Sequence, residues 1–177
     1  MKYNPDIHHR RSIRLKNYDY SCAGMYFVTI CIENRECLLG EVIEGQMHMS
    51  DAGRIVAETW QWLASQHDYI VLDEWVIMPN HIHGIVTIVD AGRGDCKGDS
   101  RTAPTEKQKP LGRLIGAFKT VSSKRINIMR DSPGSKLWQR NYWEHIVRSE
   151  QSLQQIRQYI VHNPQTWIDD QLNPALA

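Results

Sequence analysis

The sequence predicts an α+β protein with a single domain, in which helices pack on an antiparallel sheet. At 177 residues the chain is long enough for one domain with a sizeable core. Strand-like and helix-like segments follow one another as β, hairpin, α, β, β, α, β, α, without the strict alternation of parallel sheets. A turn at Pro79 and Asn80 joins two strands directly and makes them antiparallel neighbours. This order of elements is typical of a ferredoxin-like sheet.

Four strands and a short hairpin are predicted from stretches rich in β-branched and aromatic residues. In chain order they are residues 25–32, the hairpin 37–49, and residues 69–78, 81–89 and 137–147. Successive side chains of a strand point to opposite faces of the sheet. His81 and His83 are therefore expected on one face of their strand, with Ile82 and Gly84 on the other.

Three helices are predicted from apolar residues that recur at helical spacing. They begin near Ser50, Leu111 and Ser149, and the two serines can act as N-caps. The last helix is expected to end at Asn163, because Pro164 disfavours helical conformation at the residue before it.

Three segments lack such patterns. Residues 1–20 form a basic arm with scattered aromatic residues, and residues 169–177 form a tail. Residues 90–110 are rich in glycine, serine, proline and charge, which predicts a flexible surface loop. The domain itself is therefore expected to span residues 21–168.

Charge is unevenly distributed, although the net charge is only +1. Residues 107–148 hold ten basic side chains against two acidic ones, whereas residues 33–74 hold nine acidic against two basic ones. This asymmetry favours the docking of a polyanion on one side of the fold. Two solvated faces of opposite charge are the alternative.

Membrane and secreted classes do not fit the sequence. Its apolar runs fall well short of the about 20 residues that cross a bilayer, and its basic N-terminal segment lacks the apolar centre of a secretory signal. The four cysteines form no C-x-x-C pair, so we expect free thiols rather than zinc ligands or disulfides. The sequence thus predicts a cytoplasmic protein.

The candidate site combines the two histidines with the last helix. His81 and His83 are about 7 Å apart at their bases, a workable separation for two ligands of one divalent metal. Tyr159 and Asn163 lie four residues apart and so share one helix face, from which a phenol and an amide oxygen could reach the histidines. A tyrosine can attack a phosphodiester whose oxygens are polarised by a metal, and Mg²⁺ or Mn²⁺ suits such a substrate. Each residue alone could instead be structural.

These residues resemble a known family. Residues 79–84, Pro-Asn-His-Ile-His-Gly, are similar to the His-hydrophobic-His motif of single-tyrosine HUH transposases. Residues 138–148, followed by residues 159–164, resemble the REP-associated tyrosine transposase branch of that family. The resemblance extends over about residues 26–167.

The resemblance implies an HUH endonuclease-like fold and a metal-dependent endonuclease and strand transferase for single-stranded DNA. Tyr159 would be the nucleophile and would form a 5′-phosphotyrosine intermediate. His81 and His83 would hold Mg²⁺ or Mn²⁺, and Asn163 would stand where the family places its third ligand. The substrate would be hairpin DNA with a short single-stranded flank. Relatives are monomers or homodimers that exchange the tyrosine helix, and residues 147–150 would be the hinge of such an exchange.

Contacts to such a hairpin are expected from a set of basic side chains. They are Arg14, Lys119, Lys124, Arg125 and Arg140. Trp138, Tyr142 and Trp143 could stack on unpaired bases or could pack in the core.

Two other functions stay open at this stage. A catalytically inactive module that binds hairpin nucleic acid would keep the basic segment, and its histidines would be structural. A plasmid relaxase or a replication initiator would also carry the histidine pair, although those HUH enzymes are usually longer or have further domains.

Overall fold

The computed structural model describes Tyr20, residues 22–89 and residues 109–176. The strands are β1 (Gly24–Cys31), β2 (Gly40–Ile43), β3 (Gln46–Met49), β4 (Ile70–Met78), β5 (His81–Ile88) and β6 (Trp143–Val147). The α-helices are α1 (Asp51–Ser65), α2 (Leu111–Met129) and α3 (Glu150–His162). Most of the predicted arm and loop, including Arg14 and Cys96, lies outside the described residues.

The main sheet confirms the predicted fold class. Its strand order is β4-β5-β1-β6 with antiparallel neighbours throughout, while β2 and β3 form the separate predicted hairpin. The turn after β4 pairs it directly with β5, as predicted. In this order β4 and β6 are the two edges, and β5 and β1 form the centre. The central strands therefore bring His83 opposite Thr29.

One face of the sheet is covered by α1 and α2. On this face Ile82 and Val86 of β5 belong to the same buried cluster as Trp60 of α1 and Phe118 of α2. A side chain at Gly84 would place its Cβ only 2.6 Å from Cζ2 of Trp60. This close approach explains the glycine in the middle of an otherwise apolar strand.

The opposite face carries the histidines and α3. Phe27 and Ile85 pack there with Leu153 and Ile160 of α3 in a second, smaller cluster. The period-two prediction for β5 is thus confirmed, since Ile85 follows His83 on this face. The sheet divides the protein into a core layer and a layer that contains the candidate site.

The predicted strand 137–147 is wrong in its first half, because regular pairing begins only at Trp143. Trp138 makes an isolated bridge, is buried, and donates from Nε1 to the Ser122 hydroxyl at 2.9 Å. Lys119 of α2 donates to the backbone carbonyls of Gln139 and Asn141. These carbonyls are thus bonded to a side chain of α2 and not to a neighbouring strand.

Among the described residues, Cys31 and Cys37 are free thiols. No helix in the described part of the chain is long and apolar enough to cross a membrane.

Helix α3 is fixed in place by a cap and an ion pair. Ser149 accepts a hydrogen bond from the backbone N–H of Ser152 at 3.1 Å, which confirms the predicted N-cap. Arg157 donates through Nε and Nη2 to the two carboxylate oxygens of Asp73 on β4, at 2.8 and 2.6 Å. This hydrogen-bonded guanidinium lowers the pKa of Asp73. Two parallel contacts fix both the position and the orientation of the helix.

We expect Asp73→Asn to destabilise the protein at neutral pH. The pKa of Asp73 is lower in the folded chain, so its pair stabilises above the unfolded pKa of about 4 and is lost as pH falls through the folded pKa. The loss at pH 7 should be about 1 kcal/mol, or about 2–4 °C in Tm. Thermal unfolding followed by circular dichroism should show this difference shrinking below about pH 4.

The control is Glu58→Gln, which breaks the more exposed ion pair between Glu58 and Arg125. Its effect on Tm should be smaller at every pH. An Asp73→Asn protein that is equally destabilised at pH 3 and pH 7 would show that charge is not the cause.

Candidate metal and tyrosine site

Two buried imidazoles form the centre of the site. His81 and His83 are 0% and 3% exposed, and their Nε2 atoms are 3.0 Å apart. Burial lowers the pKa of His83 to about 3, and burial and the neighbouring His83 hold the pKa of His81 well below its usual range. Both rings are therefore neutral at physiological pH, which is the form that binds a metal.

Hydrogen bonds at the Nδ1 atoms of His81 and His83 fix the orientation of the two rings. Nδ1 of His81 is 2.7 Å from Oδ1 of Asn80, whose amide nitrogen donates to the carbonyls of Arg35 and Leu172. These two donations fix the orientation of the amide, so its oxygen faces His81 and accepts the Nδ1 proton. Nδ1 of His83 is 2.8 Å from the Thr29 hydroxyl. Neither partner was predicted as a site residue.

The arrangement brings the two Nε2 atoms face to face at hydrogen-bond distance. Adjacent ligands of an octahedral ion, each about 2.1 Å from it, are about 3.0 Å apart, which matches the distance between the two Nε2 atoms. Fixing the tautomer of a ligating histidine through its second nitrogen is the usual arrangement around protein-bound metals. The donors present therefore fit a divalent cation.

Tyr159 lies beside the pair. Its hydroxyl is 3.2 Å from Nε2 of His83, and its side chain is half-exposed on α3. Burial of the hydroxyl end and the charge of Asp170 raise the pKa of Tyr159, and the neighbouring Asn163 amide partly opposes them. The phenol is thus protonated at neutral pH and requires charge stabilisation at its target before it can attack.

Two further side chains compete for the position of third ligand. Asn163 is 1% exposed, and its amide lies close enough to the Tyr159 hydroxyl to affect its pKa but makes no hydrogen bond of normal geometry to any described residue. A carboxylate oxygen of Asp170 and the nitrogens of His81 and His83 all lie within 4.8 Å of one another. The sequence predicts only Asn163. Asp170 falls in the predicted tail, where no spacing or periodicity distinguishes it.

These residues surround an open cavity of about 910 Å³. Its wall includes Tyr159, His83, Asn163 and Asp170, together with side chains of β1 and β6. A cavity of this size admits a substrate to the tyrosine.

The predicted basic contacts are dispersed. Arg140 is exposed in the segment that borders the cavity, whereas Lys124 and Arg125 lie on α2, in the layer across the sheet. Arg125 also bonds Thr59 and Glu58. Lys119 donates to backbone carbonyls, and burial lowers its pKa to about 8. Their contacts with nucleic acid stay predictions.

We expect Thr29→Val to weaken metal binding by about 10- to 100-fold, because it removes the hydroxyl that orients the His83 ring. The control is Thr87→Val, the same substitution at a threonine near the other end of β5 from His81. Titration with Mn²⁺ followed by electron paramagnetic resonance measures both affinities without any substrate. Equal affinities in the two variants would show that the Thr29 hydroxyl does not orient the ligand.

Comparisons with known proteins identify a relative of the chain and the fold that it shares with a solved structure. No protein-family model matches the chain. An uncharacterized protein of Haemophilus influenzae is 42% identical over 176 residues, which cover 97% of each chain. The solved structure of a REP-associated tyrosine transposase bound to a REP hairpin matches 89% of this chain and 74% of its own, with a TM-score of 0.60 and 17% identity. The chain therefore belongs to one family with the Haemophilus influenzae protein, and it has the fold predicted from its sequence, that of a REP-associated tyrosine transposase.

Proposed function

We propose that this protein is a transposase-type endonuclease and strand transferase that acts on single-stranded DNA beside hairpins. The observation that carries the proposal is the Tyr159 hydroxyl, 3.2 Å from the His83 nitrogen on the wall of an open cavity. A half-exposed phenol next to two neutral imidazoles provides a nucleophile and a metal-binding pair in one place. The hairpin bound by the structural neighbour supports hairpin DNA as the substrate.

The site would hold Mg²⁺ or Mn²⁺. His81 and His83 would supply two nitrogens, and Asp170 and Asn163 are the candidates for the oxygen ligands. The fit rests on the facing Nε2 atoms and on the buried Asn163 amide, which makes no hydrogen bond of normal geometry with the described residues. When bound, the cation would supply polarisation of the phosphate oxygens.

Tyr159 carries the covalent step. Its oxygen attacks the phosphorus of a phosphodiester, and its proton passes to water. The bond between phosphorus and the 3′ oxygen breaks, and that oxygen takes a proton to leave as a 3′-hydroxyl. The other DNA end stays attached as a 5′-phosphotyrosine. A 3′-hydroxyl can then attack this ester and restore a phosphodiester, so joining needs no nucleoside triphosphate.

Helix α3 packs against β4 and is fixed there by Arg157 and Asp73. A helix exchanged between two chains would make the same contacts, so the proposal includes both a monomer and a helix-exchanged homodimer.

Tyr159→Phe should abolish the covalent protein–DNA adduct and leave hairpin binding largely unchanged, because only the reacting oxygen is removed. The measurement is an SDS gel of protein mixed with hairpin oligonucleotides from the DNA beside its own gene, with Mn²⁺ or Mg²⁺. The adduct should be absent with EDTA and should persist in Tyr69→Phe, a control far from the site.

An adduct that persists in Tyr159→Phe would contradict the assignment and would point to Tyr142, which also lines the cavity. Tight hairpin binding by the unaltered protein, without any adduct, would instead indicate an inactive binding module.

Asp170→Asn should weaken Mn²⁺ binding by about tenfold or more, because ligand charge sets much of the affinity of a hard cation. Asn163→Ala should have the smaller effect, since it removes a neutral donor. Calorimetric titration with Mn²⁺ compares the two, and Asp68→Asn on the protein surface is the matched control. Unchanged affinity in Asp170→Asn with a large loss in Asn163→Ala would restore the ligand set predicted from the sequence.

A further inference from the structure

Trp143 is an unusual surface residue. It begins the edge strand β6, and 48% of its side chain is exposed. The other tryptophan of this segment, Trp138, is 5% exposed and packs in the core. Burial of an aromatic ring of this size would stabilise the fold, so the exposure of Trp143 is a cost in stability. Of the two alternatives open from the sequence, core packing is therefore correct for Trp138 and wrong for Trp143.

The exposed ring lies on the same side of the sheet as the candidate site. Trp143 pairs with Thr29, whose hydroxyl contacts His83 on this face. His145 follows two residues later, and its ring is nearly parallel to that of Trp143, with centroids 6.0 Å apart and an interplanar angle of 6°. Both side chains are exposed. Together they form an aromatic strip along the sheet edge.

One buried ring separates this strip from the proposed nucleophile. Phe27 meets Trp143 edge-on at 5.5 Å and meets Tyr159 edge-on at 6.0 Å. Trp143 and Tyr159 also line the same cavity. A chain bound with its phosphate at the Tyr159 hydroxyl would therefore pass its neighbouring group over Trp143.

The wall beside the strip is polar. Gln139 and Asn141 line the cavity next to Trp143. The backbone carbonyls of both residues accept hydrogen bonds from Lys119, at 2.8 and 2.9 Å, which fixes this segment. An aromatic surface beside amide side chains suits a planar group with polar edges, and a nucleobase has both features.

We propose that Trp143 is a stacking platform for an unpaired nucleobase adjacent to the phosphodiester at Tyr159. The inference rests on the proposed function for its ligand class, single-stranded DNA, but it concerns binding and not cleavage. Stacking on an aromatic face tolerates any base, so the platform would hold the strand in place and would leave sequence recognition to other contacts.

The test is an abasic scan in the uncleavable Tyr159→Phe background. The probe is a fluorescein-labelled hairpin oligonucleotide with single-stranded flanks, taken from the DNA beside the gene. Each unpaired nucleotide is replaced in turn by an abasic residue, and affinity is measured by fluorescence anisotropy. We expect one position at which loss of the base weakens binding about 5- to 100-fold when Trp143 is present.

In Trp143→Ala, removal of the base at the same position should not weaken binding further, because the base and the ring are the two partners of one contact. Trp143→Phe should recover most of the effect, since it keeps an aromatic face. The matched control is Trp62→Ala on α1, in the layer across the sheet, which should keep the abasic pattern. Thermal unfolding of each variant shows whether the fold is intact.

Three results would overturn the proposal. They are a failure of the protein to bind any single-stranded flank, an affinity that does not depend on the base at any unpaired position, and an abasic scan that is the same for Trp143→Ala as for the protein that keeps the Trp143 ring. Failure of the proposed function is a separate outcome. If the covalent adduct forms normally but Trp143→Ala leaves the abasic scan unchanged, only the stacking platform is rejected. If one base position depends on Trp143 but no adduct forms, cleavage is rejected and the platform is kept.

Discussion

The site depends on one close contact, the 3.0 Å approach of the Nε2 atoms of His81 and His83. One of these nitrogens can carry the single proton of a neutral imidazole and donate it to the other, and a divalent cation bound between them would take the place of that proton. Burial holds the pKa of His83 at about 3, so the pair carries no positive charge of its own that would oppose a cation. The surrounding hydrogen bonds keep the two nitrogens in place, so the folded chain presents a position that a cation stabilises.

Asn80 connects this pair to the distant C-terminal segment. Its amide oxygen holds His81, and its amide nitrogen donates to the carbonyls of Arg35 and Leu172. Leu172 lies two residues after Asp170, so the amide that orients one ligand also fixes the segment that carries another candidate ligand. The ligand geometry and the path of the last residues are therefore parts of one hydrogen-bonded unit.

Local patterns account for what the sequence predicts correctly. Strand periodicity places His81 and His83 on one face of the sheet, and helical spacing places Tyr159 and Asn163 on one face of their helix. Asp170 could not be predicted, because it reaches the histidines only through the 3-10 turn Asn163–Asp169 and the contact of its neighbours with Asn80. The late start of β6 also depends on hydrogen bonds between the preceding segment and side chains of α2, about 16 to 20 residues earlier in the chain. These misses share one cause, since each depends on contacts between residues far apart in sequence.

The cavity exists because α3 covers only part of its face of the sheet. The ion pair between Arg157 and Asp73 fixes the helix over β4, one edge of the sheet, and the opposite edge is β6. At the start of β6 the face is left open, with Phe27 and Trp143 beside the histidines. The helix thus brings the Tyr159 hydroxyl to the site from one side and leaves room for a substrate on the other. A longer contact between α3 and β6 would bury more apolar surface, but it would close the approach to the Tyr159 hydroxyl.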